Sequence, residues 1–392
     1  MTPAARVQTA IELLDRIIAS AREKGPPADR ILADWFKNNR FAGSKDRRAI
    51  RDLVYSAIRT CGPVPESGRT AMLRHAESEP AILPLFDGSR YGPPPIGDNE
   101  QPAESGVAPD WLVDRLASSD IAADKAQALL GRAPLDLRVN ALKADRGSLI
   151  LPASAEPTAA PFGLRLPAGT QVEQWSQYRE GMIEVQDTGS QLACLAVAAG
   201  AGETVIDLCA GAGGKTLALA AAMGDRGRLI AADTDRGRLS RLAPRAARAG
   251  VTCIESRLLD PGKEAEALAD LHGATDVVLI DAPCSGTGTW RRNPEARWRL
   301  DKGELRRLIE LQARLLDLGS ALVKSGGRLI YVTCSVLDEE GAGQFSAFLD
   351  RSSDFRADLP DLPLGTVRGQ GLRLTPSQDG TDGFFIAHAV RS

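Results

Sequence analysis

Apolar residues recur at helical spacing near the start of the chain. Ala10, Leu13, Leu14, Ile17 and Ile18 fall on one helix face, and Ala49, Ile50, Leu53, Val54 and Ile58 on another. Residues 5–60 are therefore predicted to be helical, and neither stripe carries chemistry. The pattern breaks at 86–109, FDGSRYGPPPIGDNEQPAESGVAP, where Pro and Gly crowd together. That composition predicts an exposed linker or long loop. A short helix is expected from Asp110. LDLRVNALKA (135–144) alternates like a strand and FGLRLP (162–167) is a second candidate, so a small α+β module is expected there.

From residue 180 onward the pattern changes again. TVIDLC (204–209), RLIAAD (228–233), VVLID (277–281) and RLIYVT (328–333) are strand candidates with helical stretches between them. Such alternation predicts a parallel sheet covered by helices on both faces. GFFIAHAV (383–390) is expected to be a last strand, antiparallel at the edge. The predicted division is a helical domain over 1–105, an α+β module over 106–178 and a doubly wound α/β domain over 179–392.

Composition narrows the class without naming it. Apolar residues make up 43% of the chain and charged residues 25%, which is enough to bury a sizeable core. No apolar run approaches the roughly 18 residues of a membrane span. Asp15, Arg16, Arg22, Glu23 and Lys24 interrupt any signal-peptide pattern, so a cytoplasmic protein is expected. The six cysteines are scattered without a CxxC pair, and only His75, His272 and His388 accompany them. Neither a metal site nor a disulfide framework is expected.

The net charge of −3 hides local bias. Residues 1–60 carry 12 Lys/Arg against 7 Asp/Glu. Arg238, Arg241, Arg245 and Arg248 recur at helical spacing, and Arg291, Arg292, Arg297 and Arg299 cluster again. Each group alone fits a solvated face. Together they point to a polyanion partner.

The most informative stretch is DLCAGAGGKT (207–216), which follows a strand and opens an Ala/Leu-rich helix. In a doubly wound sheet a nucleotide-like cofactor sits at that turn, and small residues let the backbone approach it. Two rival readings fail. A P-loop needs Gly where Cys209 stands, and a dinucleotide fingerprint needs Gly where Thr216 stands. Asp233 ends the next strand candidate, where an acid hydrogen-bonds ribose hydroxyls. Capping a helix is its alternative role, and that role suits Asp235 better.

Two further strand candidates end in reactive groups, LIDAPCSGTG (279–288) and YVTCS (331–335). Ligands bind at the carboxyl ends of parallel strands, so Asp281, Cys284 and Cys334 would face the cofactor edge. Most cysteines are core filler, and Cys61, Cys194 and Cys253 read that way. Cys284 and Cys334 differ because each lies just past a strand end in a turn. If their strands are neighbours, about 4.8 Å apart, both thiols reach one substrate atom. A thiolate adding to carbon 6 of cytosine makes carbon 5 an enamine-like nucleophile that can accept a methyl group. A carboxylic acid near ring nitrogen 3 helps, and Asp281 is the candidate.

With these residues in place the chain resembles the RsmB/NSUN family of RNA cytosine-5 methyltransferases. The resemblance runs in order over 107–392: PDWLVDRL, LRVNALKA, VQDTGSQL (185–192), DLCAGAGGKT, AADTDRGRL, DAPCSGTGTWRRNPEARW, VTCS and DGFF (382–385). It implies a Rossmann-like class I methyltransferase domain that uses S-adenosylmethionine. It further implies that Cys209, Ala210, Gly211, Ala212, Gly213, Gly214 and Lys215 hold the cofactor and that Asp233 holds its ribose. Asp260 is expected on the adenine side and Asp281 beside the target base. Cys334 is the implied nucleophile, Cys284 the group that assists product release, and Arg292 and Pro294 shape the base pocket. The chain departs from the family's AAPGGK loop by lacking its Pro. The N-terminal helices resemble a NusB-type RNA-binding module, which implies 16S ribosomal RNA as substrate. A tRNA substrate, a DNA cytosine methyltransferase using Cys284, and a ribosome-assembly factor without turnover are the alternatives. The expected assembly state is a monomer, with no membrane and no metal.

Overall fold

The two N-terminal stripes become helices Pro3–Arg22 and Ser44–Thr60, joined by Ala28–Asn38 and followed by Gly68–Ser78. The first helix starts where the sequence supplies a cap. The Thr2 hydroxyl accepts the Ala5 N–H at 3.2 Å, with Pro3 opening the first turn. Leu13, Leu14, Ile17, Ile50, Val54 and Ile58 are fully buried and meet Trp35, Phe36 and Met72 in one core.

The computed structural model describes residues 1–392. They fall into one unit of Met1–Gly131 with Thr289–Asp301 and a second of Arg132–Gly288 with Lys302–Ser392. The expected limits at 105 and 178 do not coincide with this division. No helix is long and apolar enough to cross a membrane.

Segment 86–109 forms neither helix nor strand, yet it is a strap and not a free linker. The Gly62 N–H donates to the Glu104 carbonyl at 3.0 Å and the Ala103 N–H to the Thr70 carbonyl at 2.9 Å. Arg69 donates to the Pro94 and Pro95 carbonyls at 3.2 and 3.0 Å and pairs with Glu100 at 2.8 Å. Pro removes donors but leaves carbonyls to satisfy, and the helical unit satisfies them.

Segment Thr289–Asp301 belongs to the same unit. Trp298 enters its core and donates Nε1–H to the Gly62 carbonyl at 3.2 Å. Glu295 accepts the Ala28 N–H at 3.0 Å, at the start of the second helix. Arg297 is fully buried and donates to the carbonyls of Ile58 and Cys61, both at 2.6 Å, and to that of Pro294. Helix Ser44–Thr60 ends there, where the Ile58 carbonyl accepts only the Cys61 N–H at 3.3 Å from the chain itself, and a guanidinium supplies further donors. Burial pushes the Arg297 pKa down to about 9. Arg299 likewise donates to the carbonyls of Gly25 and Pro26. Arg291 is buried as well. The predicted basic cluster is therefore corrected: Arg291 is withdrawn from solvent, while Arg297 and Arg299 staple loop carbonyls.

The second unit holds two sheets. Strands β1 (Leu135–Val139), β2 (Glu156–Pro157), β3 (Gly163–Leu166) and β4 (Ile183–Val185) pair antiparallel in the order β2-β3-β1-β4. Leu137, Val139, Leu164, Leu166 and Ile183 form one face of this small sheet.

The larger sheet contains β5 (Thr204–Asp207), β6 (Arg228–Asp233), β7 (Ile254–Leu258), β8 (Thr275–Asp281), β9 (Val323–Thr333), β10 (Phe355–Ala357), β11 (Thr366–Arg368), β12 (Gly371–Leu374) and β13 (Phe384–Arg391). Its order is β11-β12-β13-β9-β8-β5-β6-β7, with β10 also on β13. The five strands β9-β8-β5-β6-β7 are parallel. Side chains alternate between two cores. Val205, Leu229, Val277, Leu279 and Ile330 enter one, and Ile206, Ile230, Val278, Ile280 and Leu329 the other. Both faces are covered, as the continuous apolar runs predicted.

β13 is antiparallel to β9, as expected, but it is not at the edge. β12 and β10 share its far side. Those short strands escaped the sequence reading because GLRL and FRA carry too few residues for a period to show.

The staple makes one expectation measurable. Arg297→Met leaves the Cys61 carbonyl without its guanidinium donor and the Ile58 carbonyl with only the Cys61 N–H at 3.3 Å. It should destabilise the fold by about 3 kcal/mol, read as a lower urea midpoint. An unchanged midpoint would show that those carbonyls do not depend on the guanidinium.

Candidate active site

The chain runs β5, β6, β7 outward in one direction, then returns to place β8 and β9 on the other side of β5. The switch point lies at the carboxyl ends of β5 and β8, where open α/β sheets bind ligands. A cavity of about 450 Å³ opens there, lined by Cys209, Asp233, Leu259, Asp281, Cys284 and Cys334 among others. Its volume is in the range of small-molecule sites.

The glycine turn is built by backbone geometry. Gly211 and Gly213 have φ of 56° and 82°, a region that penalises side chains. Gly213 then caps helix Gly214–Ala222, whose first N–H groups face the turn. The Gly211 N–H donates to Asp233 Oδ2 at 2.7 Å, tying the turn to the end of β6. Asp233 Oδ1 accepts the Asp235 N–H at 2.7 Å. Each Asp233 oxygen keeps a lone pair for a further donor. Asp235, not Asp233, caps the next helix, its side chain accepting the Arg238 N–H at 2.9 Å.

Lys215 and Asp281 form an ion pair at 2.7 Å. Burial opposes the Lys215 charge, but the neighbouring Asp281, Cys194 and Cys334 outweigh it and hold the ammonium well above its ordinary pKa. Lys215 also lies 5.5 Å from the Phe384 ring centroid, which adds a cation–π contact from the DGFF segment. Asp281 is thus held against a cation, a pairing that no spacing in the sequence indicated.

The two cysteines meet. Cys284 Sγ lies 3.4 Å from Cys334 Sγ, within reach of an S–H···S hydrogen bond. β8 and β9 are adjacent and parallel, with Asp281 opposite Val332, so their carboxyl ends present both turns side by side. The Cys334 hydrogen bond and burial push the Cys284 thiol well above its ordinary pKa, so Cys284 holds a proton. Cys209, in the same cavity, is also pushed up by burial. Cys61 and Cys194 are buried and Cys253 partly so, away from the cavity lining.

The surrounding motifs act as braces. The Gly288 N–H donates to the Cys334 carbonyl at 3.0 Å, and the Gly383 N–H to the Gly288 carbonyl at 2.8 Å. A side chain at Gly288 would collide with the Gly383 backbone. Asp187 of VQDTGSQL caps its own helix and accepts the Asp382 N–H at 3.1 Å.

One expected site residue lies outside the cavity lining. Asp260 is exposed and does not line the cavity, although its neighbours Leu259 and Pro261 do. Buried Glu264 lines that end, bound to the Gly262 N–H at 2.9 Å and to Arg314 at 3.0 Å. Arg292 and Pro294 belong to the segment that packs with the helical unit. On the predicted basic face, Arg245 and Arg248 share the one carboxylate of buried Glu184, so both guanidinium groups are engaged within the fold. Arg238 lines the cavity instead.

Two buried acids were missed. Asp207 is fully buried beneath the turn, with Oδ2 accepting the Thr216 hydroxyl at 2.7 Å and Oδ1 without a partner. Burial, with Asp281 and Asp233 nearby, raises its pKa to about 7. Glu340 is also fully buried and accepts the Ser285 N–H at 2.8 Å. The only sequence signal for either was an acid inside an otherwise apolar or turn stretch. No three or more His, Cys, Asp or Glu side chains are grouped to hold a metal.

Residues 194–390 match the family model described as 16S rRNA methyltransferase RsmB/F. The ribosomal RNA small subunit methyltransferase B of Pasteurella multocida is 34% identical over 295 residues, 71% of this chain and 64% of that protein. That of Sodalis glossinidius is 32% identical over 360 residues, 87% of this chain and 79% of that protein. This chain therefore spans less than two thirds of the first relative's length and more of the second's. Among solved structures, that of PH0851 is similar in fold, with a TM-score of 0.79 at 24% identity over 99% of both chains.

Asp207 gives the stability of the fold a pH signature. Its carboxyl is harder to ionise in the fold than in the unfolded chain, so its contribution to stability is full below about pH 4 and lost as pH rises through about 7. Asp207→Asn keeps an acceptor for Thr216. Relative to the parent, it should gain stability with rising pH, approaching about 4 kcal/mol at pH 8. Thermal unfolding at pH 5 and pH 8 measures this, and a pH-independent difference would contradict it.

Proposed function

The chain belongs to the RsmB/F family of 16S rRNA methyltransferases, and from that premise we propose that it transfers the methyl group of S-adenosylmethionine to carbon 5 of a cytosine in 16S rRNA, with Cys334 as nucleophile. The observation that carries this reading is the pair of sulfurs 3.4 Å apart at the edge of the cavity beside the glycine turn.

The residues present fit the methyl donor. The turn from Cys209 to Lys215 offers backbone N–H groups at a helix N-terminus to a carboxylate. Asp233, fixed by two amides, has lone pairs left for ribose hydroxyls. Asp260, the acid expected on the adenine side, follows β7 between two lining residues but stays outside the lining, where Leu259 and Pro261 face the cavity. When bound, S-adenosylmethionine supplies an electrophilic methyl group on its sulfonium.

The target base must leave its stack to reach the cavity, since carbon 6 is covered in a helix. Cys334, as thiolate, adds to carbon 6, and the ring electrons shift toward nitrogen 3. The Lys215 ammonium, held by Asp281 at 2.7 Å, is the donor that would stabilise that charge. After methylation carbon 5 carries both a proton and the methyl group. Water removes the proton, the carbon 5–carbon 6 double bond re-forms, and the carbon–sulfur pair returns to Cys334. Cys284 keeps its own proton throughout and donates its S–H hydrogen bond to the departing sulfur, restoring the resting pair.

The experiment separates the two cysteines. With labelled S-adenosylmethionine and 16S rRNA, Cys334→Ala should transfer no label and form no covalent complex. Cys284→Ala should accumulate a denaturation-resistant protein–RNA adduct. The reverse pattern would make Cys284 the nucleophile, as in a DNA-type enzyme. Label entering tRNA in preference to 16S rRNA would overturn the substrate, and no transfer to either would leave an RNA-binding factor.

A further inference from the structure

The cysteine-bearing turns share a pattern: each Cys is followed by Ser. Those serines meet. Ser285 Oγ lies 3.3 Å from Ser335 Oγ, which in turn lies 2.9 Å from Thr287 Oγ1. Ser335 Oγ also accepts the Leu337 N–H at 3.1 Å, and Thr287 Oγ1 the Val336 N–H at 3.0 Å. This hydroxyl cluster stitches the turn after β8 to the turn after β9, each serine directly following one of the two cysteines.

Glu340 closes the cluster. One carboxylate oxygen accepts the Ser285 N–H at 2.8 Å and Gln312 Nε2 at 3.0 Å, and the other accepts the Ser285 hydroxyl. Gln312 also donates to the Pro283 carbonyl at 2.9 Å, so the residues on both sides of Cys284 are held. The Tyr331 hydroxyl donates to the Glu340 carbonyl at 2.7 Å, anchoring Glu340 to β9 itself. Glu340, Gln312 and Ser335 are fully buried. A buried carboxylate is a poor way to gain stability, because apolar packing generally does as well. Its place against Ser285 calls for another role.

We propose that Glu340, acting through Ser285 and Ser335, is a positioning residue that holds the Cys284 thiol in hydrogen-bonding reach of Cys334 so that the covalent RNA intermediate can break down. This rests on the roles assigned above to the two cysteines. Glu340 touches neither sulfur in the hydrogen-bond network. It fixes the backbone that carries one of them. Its negative charge adds to the forces that keep Cys284 protonated. The chemistry it supports is the final step, in which the carbon–sulfur electron pair returns to Cys334, the carbon 5 proton goes to water, and Cys284 only donates its hydrogen bond.

The test is trapping of the adduct with 16S rRNA and S-adenosylmethionine, followed on denaturing gels beside methyl transfer. Ser285→Ala and Glu340→Ala should each raise the covalent complex at least tenfold over the parent and slow turnover. Glu340→Gln, which keeps an acceptor for the Ser285 N–H, should rescue part of the turnover. Adding Cys334→Ala to either should abolish the complex. A merely structural Glu340 would lower activity without trapping RNA, and that result in Ser285→Ala, the smaller change, overturns the proposal even if Glu340→Ala does not fold. If Cys284→Ala itself traps nothing, the cysteine roles fail first. If Cys284→Ala traps RNA and Ser285→Ala does not, only the positioning role fails.

Discussion

Everything at the site depends on the parallel pairing of β8 with β9. Asp281 stands opposite Val332, so the turns that follow the two strands leave the sheet together. Residues 284 and 334 are far apart in sequence, and their sulfurs meet at 3.4 Å. Helix Lys302–Leu322 enforces the pairing by laying Leu315, Leu316 and Leu322 across Val278, Ile280 and Leu329. A slip of one residue would turn the slipped strand's side chains to the opposite face. It would also carry one cysteine about 3.3 Å along the strand, out of reach of the other.

Around that pairing the protein concentrates buried charge. Lys215 and Asp281 neutralise one another, Glu340 is met by Ser285 and Gln312, and Asp207 has one oxygen with no donor. A fold with about 5–15 kcal/mol of net stability cannot scatter such groups through its core. These four ionisable groups lie on the strands that line the cavity or in the turns and helix start that follow them, and strongly shifted ionisation is common at functional sites. The helical unit makes the opposite use of charge. Arg297 is buried to complete a helix end and not to meet a ligand.

The arginines show how placement overrides composition. Two clusters at suggestive spacing pointed to a polyanion. Arg245 and Arg248 are bound to Glu184, and Arg297 and Arg299 are spent on carbonyls. Arg238, from the same helical row as the first pair, turns to the cavity. A guanidinium has five donors, and any nearby carbonyl or carboxylate competes for it.

What the sequence determined by itself was local. Apolar runs of strand length, two helical stripes, a glycine turn after a strand and two cysteines just past strand ends are all properties of a few consecutive residues. They were enough for the doubly wound sheet and for the shared edge of Asp281, Cys284 and Cys334. Tertiary structure alone decided what depends on residues distant in the chain. The lysine facing Asp281, the carboxylate behind Ser285, the interior place of β13 and the docking of 289–301 with the helical unit are of that kind. Hydrogen bonds and ion pairs are satisfied by whichever partner the fold brings near, and a linear pattern does not record that proximity.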